Sequence, residues 1–508
     1  MNAQALAVTE APRVDPLTEA IRASIANPEH SSSFDLYAGV NKVLKDVGMS
    51  TADSGGKVSF YGRDPIIPSA LRFGSVAAMG LAAKAVAVAA LWRERTGEGQ
   101  DVAVDVRKAL RRFCGFMDYK WELINGRPPT FGDPLNPFLG PPLFRETRDG
   151  RQFVALNIYP KLAARGYALL RCGPTNESIR DAILQWRALE LEAAAAEAGL
   201  PMAMVRTFEE FEKEPQYKEV LSRMPLVSVE KIGDSEPMPF WSDGKTPLEG
   251  IRAVGMGHVI AGAAIGRDLA LYGADVLNVW RPHDSEVEAF AWDVQVGMRS
   301  TILDYSNEDR AKLDRLIEGA DVFFANKRPG YLERTGLEAE ELCAKKPGLI
   351  HTRVVLYGDK GPWKSHTGFD EIGAAVSGLF CIEGTSTRPQ QPPVVPIVDN
   401  VVGWLGTVGV LAALRRRARE GGSYKVTVSL TRTVLWLLSL GTFDKAYARA
   451  TAGSSDEHAY VAPDLFTAET PLGSYQGMTD QTMMSRTPGS FRTVLVPHGS
   501  SKPEWLTR

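Results

Sequence analysis

Cysteine is scarce and scattered: Cys114, Cys172, Cys343 and Cys381 are the four in 508 residues. No two are spaced as a zinc knuckle, and four thiols make no disulfide framework for so long a chain, so a reducing compartment is expected. Histidine is also thin, seven copies without ligand spacing, and no metal is expected. An excess of one charge is missing too. Lys+Arg 58 against Asp+Glu 61 leaves −3 at neutral pH, so no bulk basic field draws in nucleic acid or an anionic membrane, and any anion site must be local. Apolar runs at residues 76–92, broken by Lys84, and at residues 401–414 fall short of the roughly 18–20 clean residues of a membrane span. The opening residues lack the basic-then-apolar order of a secretion signal. A soluble, cytoplasmic protein is the expectation.

What is present is ordinary globular material, 44% hydrophobic and 23% charged, in a chain longer than one core usually holds. Residues 1–60 read as a helix-bearing extension. Residues 80–95 form an Ala-rich helix, and a Thr-Gly-Glu-Gly turn leads into a strand at residues 101–106. The layout returns at residues 403–417 and 425–430. Placing Ala89-Ala90-Leu91 on Ala412-Ala413-Leu414 puts Gly80 on Gly403, a degenerate internal repeat. Residues 144–240 between the copies read as a small α/β domain, with a Pro- and Gly-rich boundary at residues 236–250. The expected divisions are 1–60, 61–240, 241–435 and a returning segment 436–508.

From Ile251 a βαβ rhythm begins. Strands are expected at Arg252–Met256 and residues 274–280, 321–325 and 349–356, with helices at residues 261–272, 307–318 (capped by Ser306) and 338–345. Such alternation means an α/β fold, a doubly wound parallel sheet of Rossmann type beside the smaller α/β domain.

Three turns carry candidate chemistry. The first, Gly255-Met256-Gly257-His258-Val259-Ile260-Ala261-Gly262, is glycine-rich without being G-x-G-x-x-G. The next strand ends at Trp280 where a dinucleotide site wants an acid, so NAD is not expected. Arg281, after it, suits a nucleotide with an extra ribose phosphate or is a surface arginine. The second turn, Asn326-Lys327-Arg328-Pro329-Gly330-Tyr331-Leu332-Glu333-Arg334, reads as an anion collar at a strand's carboxyl edge, or as a solvated loop. The third carries Gly368-Phe369-Asp370 into a helix of small residues. Asp370 reads as a helix cap, or as a carboxylate kept ionised by the helix entrance and able to attack an activated acyl carbon.

Taken in order from about Ile251 to Leu430, these segments resemble the family III CoA-transferases, the family of formyl-CoA transferase and carnitine CoA-transferase. The resemblance is carried by AGAAIGRDLALYGADVLNVWRP, MRSTILDYS, ADVFFANKRPGYLERTGL, PGLIHTRVVLYGDKGP, TGFDEIGAAVSGL and VDNVVGWLGTVGVLAAL. The first half, including GLPMAMVRTFEEFEKEP, resembles the later part of that family, so the chain looks like one and a half family units. The resemblance implies CoA transfer from an acyl-CoA donor to a carboxylic acid, and a homodimer. It implies that Asp370 forms the acyl anhydride and then the aspartyl-CoA thioester. It implies that Ala261, Gly262, Arg281, Asn326, Arg328 and Arg334 hold CoA. Asp399 matches a recurrent aspartate of unassigned role.

Trp280, Val355 and Lys327 depart from the family pattern and unsettle the adenine pocket. Val76 stands in the first copy where Asp399 stands in the second, with no G-x-D before it, so one active site per chain is expected. Family racemases pair the aspartate with a histidine; Cys343 aligns there and reads as a buried small hydrophobe, which puts the racemase second. A non-catalytic acyl-CoA-binding protein is the third reading. His258 and His366 are left unassigned.

Overall fold

The computed structural model describes residues 15–113, 115–133, 135–240 and 243–507. Cys114 and the opening residues lie outside it, as do Trp241 and Ser242 of the expected boundary. Helices α1 (Pro16–Ala26) and α2 (Leu36–Lys45) open the described chain. Asp15 and Asp35 cap them, each accepting the N–H three residues on and so meeting one of the free donors of a helix start.

Strand β1 (Val58–Tyr61), helix α3 (Phe73–Thr96) and strand β2 (Val102–Asp105) follow, with β1 and β2 parallel. By length and composition α3 is apolar enough to cross a membrane, contrary to the reading of its run as too short, but it is wholly buried in the protein.

The small domain pairs β3 (Phe144–Glu146), β4 (Gln152–Ala155) and β5 (Met202–Met204) antiparallel. Helices α4 (Pro160–Leu170), α5 (Asn176–Ile183) and α6 (Ala188–Glu197) complete it. Phe153, Leu162, Ile179 and Leu191 form its own core.

After β6 (Ser228–Gly233) comes the large sheet. Its parts in chain order are β7 (Arg252–Met256), α7 (Ala261–Leu271), β8 (Asp275–Trp280), β9 (Arg299–Ile302), α8 (Arg310–Glu318) and β10 (Val322–Ala325). Then come α9 (Tyr331–Arg334), α10 (Ala339–Lys345), β11 (Ile350–Val355), α11 (Asp370–Ser377), α12 (Asp399–Glu420), β12 (Ser423–Ser429) and α13 (Leu430–Leu438). The strand order is β9-β8-β7-β10-β11-β12-β6, parallel except for β6. Buried on both faces, β10 reads as continuous apolar text, and β8 does so apart from Asp275 and Asn278, as a covered parallel sheet requires. The order reverses between β7 and β10, which opens the crevice where such sheets place ligands.

One expected boundary is corrected. Helix α8 begins at Arg310 rather than at residue 307, and Ser306 does not cap it. Asp304 accepts the Asn307 side chain while Asp309 accepts the Asp304 N–H, so residues 304–309 close into a turn of their own first.

The two long helices pack together, and a Cβ on Gly80 of α3 would lie 2.9 Å from the Trp404 ring of α12. At this seam Lys84, fully buried, places Nζ 2.7 Å from Asp268 of α7 and 2.8 Å from Asp480. Asp480 precedes β13 (Thr482–Met484), which pairs antiparallel with β2.

Candidate active site

The carboxyl ends of β7 and β10 build the floor. To enter α7 the chain reverses over residues 257–260 with Val259 at φ 59°, a backbone region that a β-branched residue avoids. Its N–H is held by Glu286 Oε2 at 2.7 Å. Asn326, just past β10, accepts the His258 N–H at 2.9 Å and donates to the His258 carbonyl. A Cβ at Gly262 would sit 2.5 Å from Asn326, so glycine is what lets this clamp close. Ala261 and Gly262 are buried in the first turn of α7. Of the expected CoA residues, Ala261, Gly262 and Asn326 therefore shape the floor, the Asn326 amide being used at both ends.

The cations divide into two kinds. Arg281 grips Asp284 at 2.7 Å, and Lys327 lies 3.7 Å from the same carboxylate. Burial opposes ionisation of Asp284, yet these two neighbours outweigh it and hold its carboxyl at about 2. Arg328 and Arg334 are exposed, and among the described residues neither side chain has a hydrogen bond or ion pair. The Arg281 guanidinium lies 5.3 Å from the Tyr331 ring centre and Lys327 6.0 Å from it. Arg281 follows β8, and Arg328 and Arg334 follow β10, the strands on either side of β7.

Asp370 opens α11 but caps another helix. Its Oδ2 accepts the N–H groups of Ile397, Val398 and Asp399 at 2.7, 2.6 and 3.0 Å, at the entrance of the long helix α12. Its Oδ1 is buried and accepts from no N–H or hydroxyl donor. Burial pushes Asp370 above the ordinary carboxylate range, and the three N–H groups resist that push. The adjoining Glu371 carboxyl, which the sequence reading passed over, hydrogen-bonds Asp370 and is pushed well above its range, first by burial and then by the Asp370 charge. Asp399 is pushed the same way by the same two causes. Three carboxyls thus share one cluster, with Asp370 the one best held as an anion.

A contrast within the chain gives the free oxygen its meaning. Asp64 caps α3 as Asp370 caps α12, accepting the Gly74 and Ser75 N–H groups at 3.1 and 2.6 Å. The alignment of Ala89-Ala90-Leu91 with Ala412-Ala413-Leu414, expected from the sequence, would place Gly74 and Ser75 on Ile397 and Val398. Asp64 spends both oxygens on backbone donors, whereas Asp370 spends one. Capping alone does not account for the second oxygen.

The small domain closes over this region. Tyr159, the residue before α4, donates to Glu286 at 2.8 Å, and its ring lies 5.2 Å from His258 and 6.4 Å from Phe369. His366 stacks on Trp363 at 5.5 Å and lines a small cavity with Glu192, Tyr357, Thr367 and Ile372. Cys343, where a racemase would carry its histidine, is buried with its thiol pushed up to about 11, and offers no base.

Residues 248–476 match the family described as CoA-transferase family III. An acetyl-coenzyme A transferase of Hypoxylon pulicicidum is 34% identical over 226 residues, covering 42% of this chain and 38% of that protein. The alpha subunit of a succinyl-CoA–L-malate CoA-transferase of Chloroflexus aurantiacus is 30% identical over 265 residues, covering 46% of this chain and 58% of that subunit. A solved CAIB/BAIF family protein from Brucella suis is 25% identical, covers 46% of this chain and 65% of its own, and has a TM-score of 0.36. The chain spans less than two thirds of the length of each of these relatives. Residues 248–476, whose turns form this site, are thus the part of the chain that is similar to CoA-transferase family III.

Proposed function

We propose that the protein transfers CoA from an acyl-CoA donor to a carboxylic acid acceptor, with Asp370 as the nucleophile. The observation that carries this reading is the Asp370 carboxylate, whose Oδ2 is fixed by three N–H groups and whose Oδ1 accepts from no N–H or hydroxyl donor. Fixing one oxygen of a carboxylate orients the other, and orientation is much of what a covalent catalyst needs.

In the first step Oδ1 attacks the thioester carbon, the C–S bond breaks, and CoA leaves as thiolate from a mixed anhydride. The thiolate then attacks Cγ of Asp370, the donor acid departs, and an aspartyl-CoA thioester remains. The acceptor carboxylate attacks that thioester, CoA leaves again, and a second anhydride forms. Attack of CoA on the acceptor's acyl carbon restores Asp370. One thioester replaces another, so no external energy source is required. The α12 entrance, facing the carboxyl through its N–H groups, favours the ionised form between steps. Because Asp370 is wholly buried, turnover includes a movement that uncovers Oδ1. The Tyr159–Phe369 contact at the domain seam is the part placed to make it.

The cations beside the crevice would hold the CoA phosphates, and the family's dimeric state and a cytoplasmic location belong to the same proposal. The test is to incubate the purified protein with single acyl-CoA donors and free acids and to weigh the thioesters. New acyl-CoA with equimolar loss of donor supports the transfer. Hydrolysis alone, or inversion at the α-carbon without exchange, contradicts it.

A further inference from the structure

The turn that leads into α7 is held in an unfavourable shape from two sides. Val259 stands at φ 59°, the left-handed region, where a β-branched side chain crowds its own backbone. Such strain persists only where the surroundings overdetermine it. On one side Asn326 accepts the His258 N–H and donates to the His258 carbonyl. On the other, Oε2 of Glu286 accepts the Val259 N–H at 2.7 Å.

Glu286 has a second attachment, and it leads out of the large domain. Its Oε1 accepts the Tyr159 hydroxyl at 2.8 Å and the Val287 N–H at 2.9 Å. Tyr159 belongs to the small domain, directly before α4. The Glu286 side chain is 4% exposed, with His258 Nε2 3.8 Å away. A carboxylate so deep depends on every donor it has. Burial, and then the Glu286 charge, push the Tyr159 hydroxyl well above its ordinary value, so it stays a donor at neutral pH. Without that hydroxyl the carboxylate gains by turning out toward water, and the Val259 N–H loses its acceptor.

We propose that Glu286 is a positioning residue that links the seating of the small domain, through Tyr159, to the left-handed turn at Val259, a role that rests on the reading of the crevice as the acyl-CoA site. The small domain thereby shapes a floor whose turns all belong to the large domain. Seating the domain fixes the turn, and a donor lying against the floor holds the turn and favours seating in return.

The experiment measures kcat/KM for the acyl-CoA donor in CoA exchange with four full-length proteins: wild type, Tyr159→Phe, Val259→Gly and the double variant. Glycine enters the left-handed region without strain, so a turn that carries it has no need of the latch. Tyr159→Phe should lower kcat/KM at least about fivefold, as for loss of one hydrogen bond to a charged group. In the Val259→Gly background the same change should cost less than about twofold. Val259→Asn, which also tolerates this region, serves as the background should the glycine variant not fold. A larger loss in that background would show a bond that merely holds the domains together and would overturn the inference. A smaller loss in Tyr159→Phe alone would overturn it too. Either result leaves the transferase reading intact, whereas absence of exchange in the wild type removes that reading and the inference with it.

Discussion

At the scale of single residues, the two oxygens of Asp370 have separable duties, and two substitutions separate them. Asp370→Asn keeps a carbonyl oxygen for the α12 N–H groups but loses the nucleophile. CoA exchange should fall at least about a thousandfold, in line with loss of a covalent catalyst, with the thermal midpoint near that of wild type. Asp370→Ala loses the acceptor too, and three orphaned N–H groups should cost about 1–3 kcal/mol in chemical denaturation. Equal stability of the two variants would contradict the capping role. The acid limb of the rate profile should lie above the ordinary carboxylate range, because burial raises Asp370 and it must lose its proton to attack. Much of this site was readable in advance. Asp370, Arg281, Arg328 and Arg334 stand in recognisable turns. Glu371 and Asp64 were passed over because a carboxyl's partner donors lie in another element. The Asp370 donors begin at Ile397, and no local pattern announces them.

At the scale of elements, legibility followed punctuation. Strands β7 and β10 and helix α10 fall within a residue of their expected ends because glycine, proline or a polar cap closes each one. Helix α8 starts late because residues 304–309 hold their own turn, a choice between two local hydrogen-bond patterns that spacing does not decide. The antiparallel strand β6 was hidden for another reason: its pairing with β12 joins residues far apart in the chain. The Lys84 triad is the extreme case, joining α3 to Asp268 and Asp480. Burial opposes both charges; Lys84, with the neighbouring Arg267, nonetheless draws Asp480 below its ordinary range, while Asp268 stays above its own. Lys84→Met leaves two buried carboxylates without their cation and should destabilise by about 3–5 kcal/mol, read by urea unfolding. Because the stranded carboxylates take up protons as pH falls, the deficit should shrink on acidification. A deficit unchanged between pH 7 and pH 5 would contradict the ionic account.

At the scale of the whole molecule, the pieces assemble in an order that the chain does not display. The sheet that begins at β7 receives its last strand from upstream, the long helix α12 packs on α3 of the first half, and the small domain preceding the sheet closes over its crevice. Tyr159 reaches the candidate site from a domain that ends before the first site turn begins. Composition and periodicity identified the layers; the contacts between distant segments that complete the site were beyond them, since those depend on packing rather than on spacing.

The most direct measurement is to mix the protein with an acyl-CoA donor, quench with hydroxylamine, digest, and locate the modified residue by mass spectrometry. The account predicts a hydroxamate on Asp370 that grows with donor and is absent from the Asp370→Asn variant. A protein that exchanges CoA with Asp370 unmodified, or with the adduct on another side chain, would contradict it.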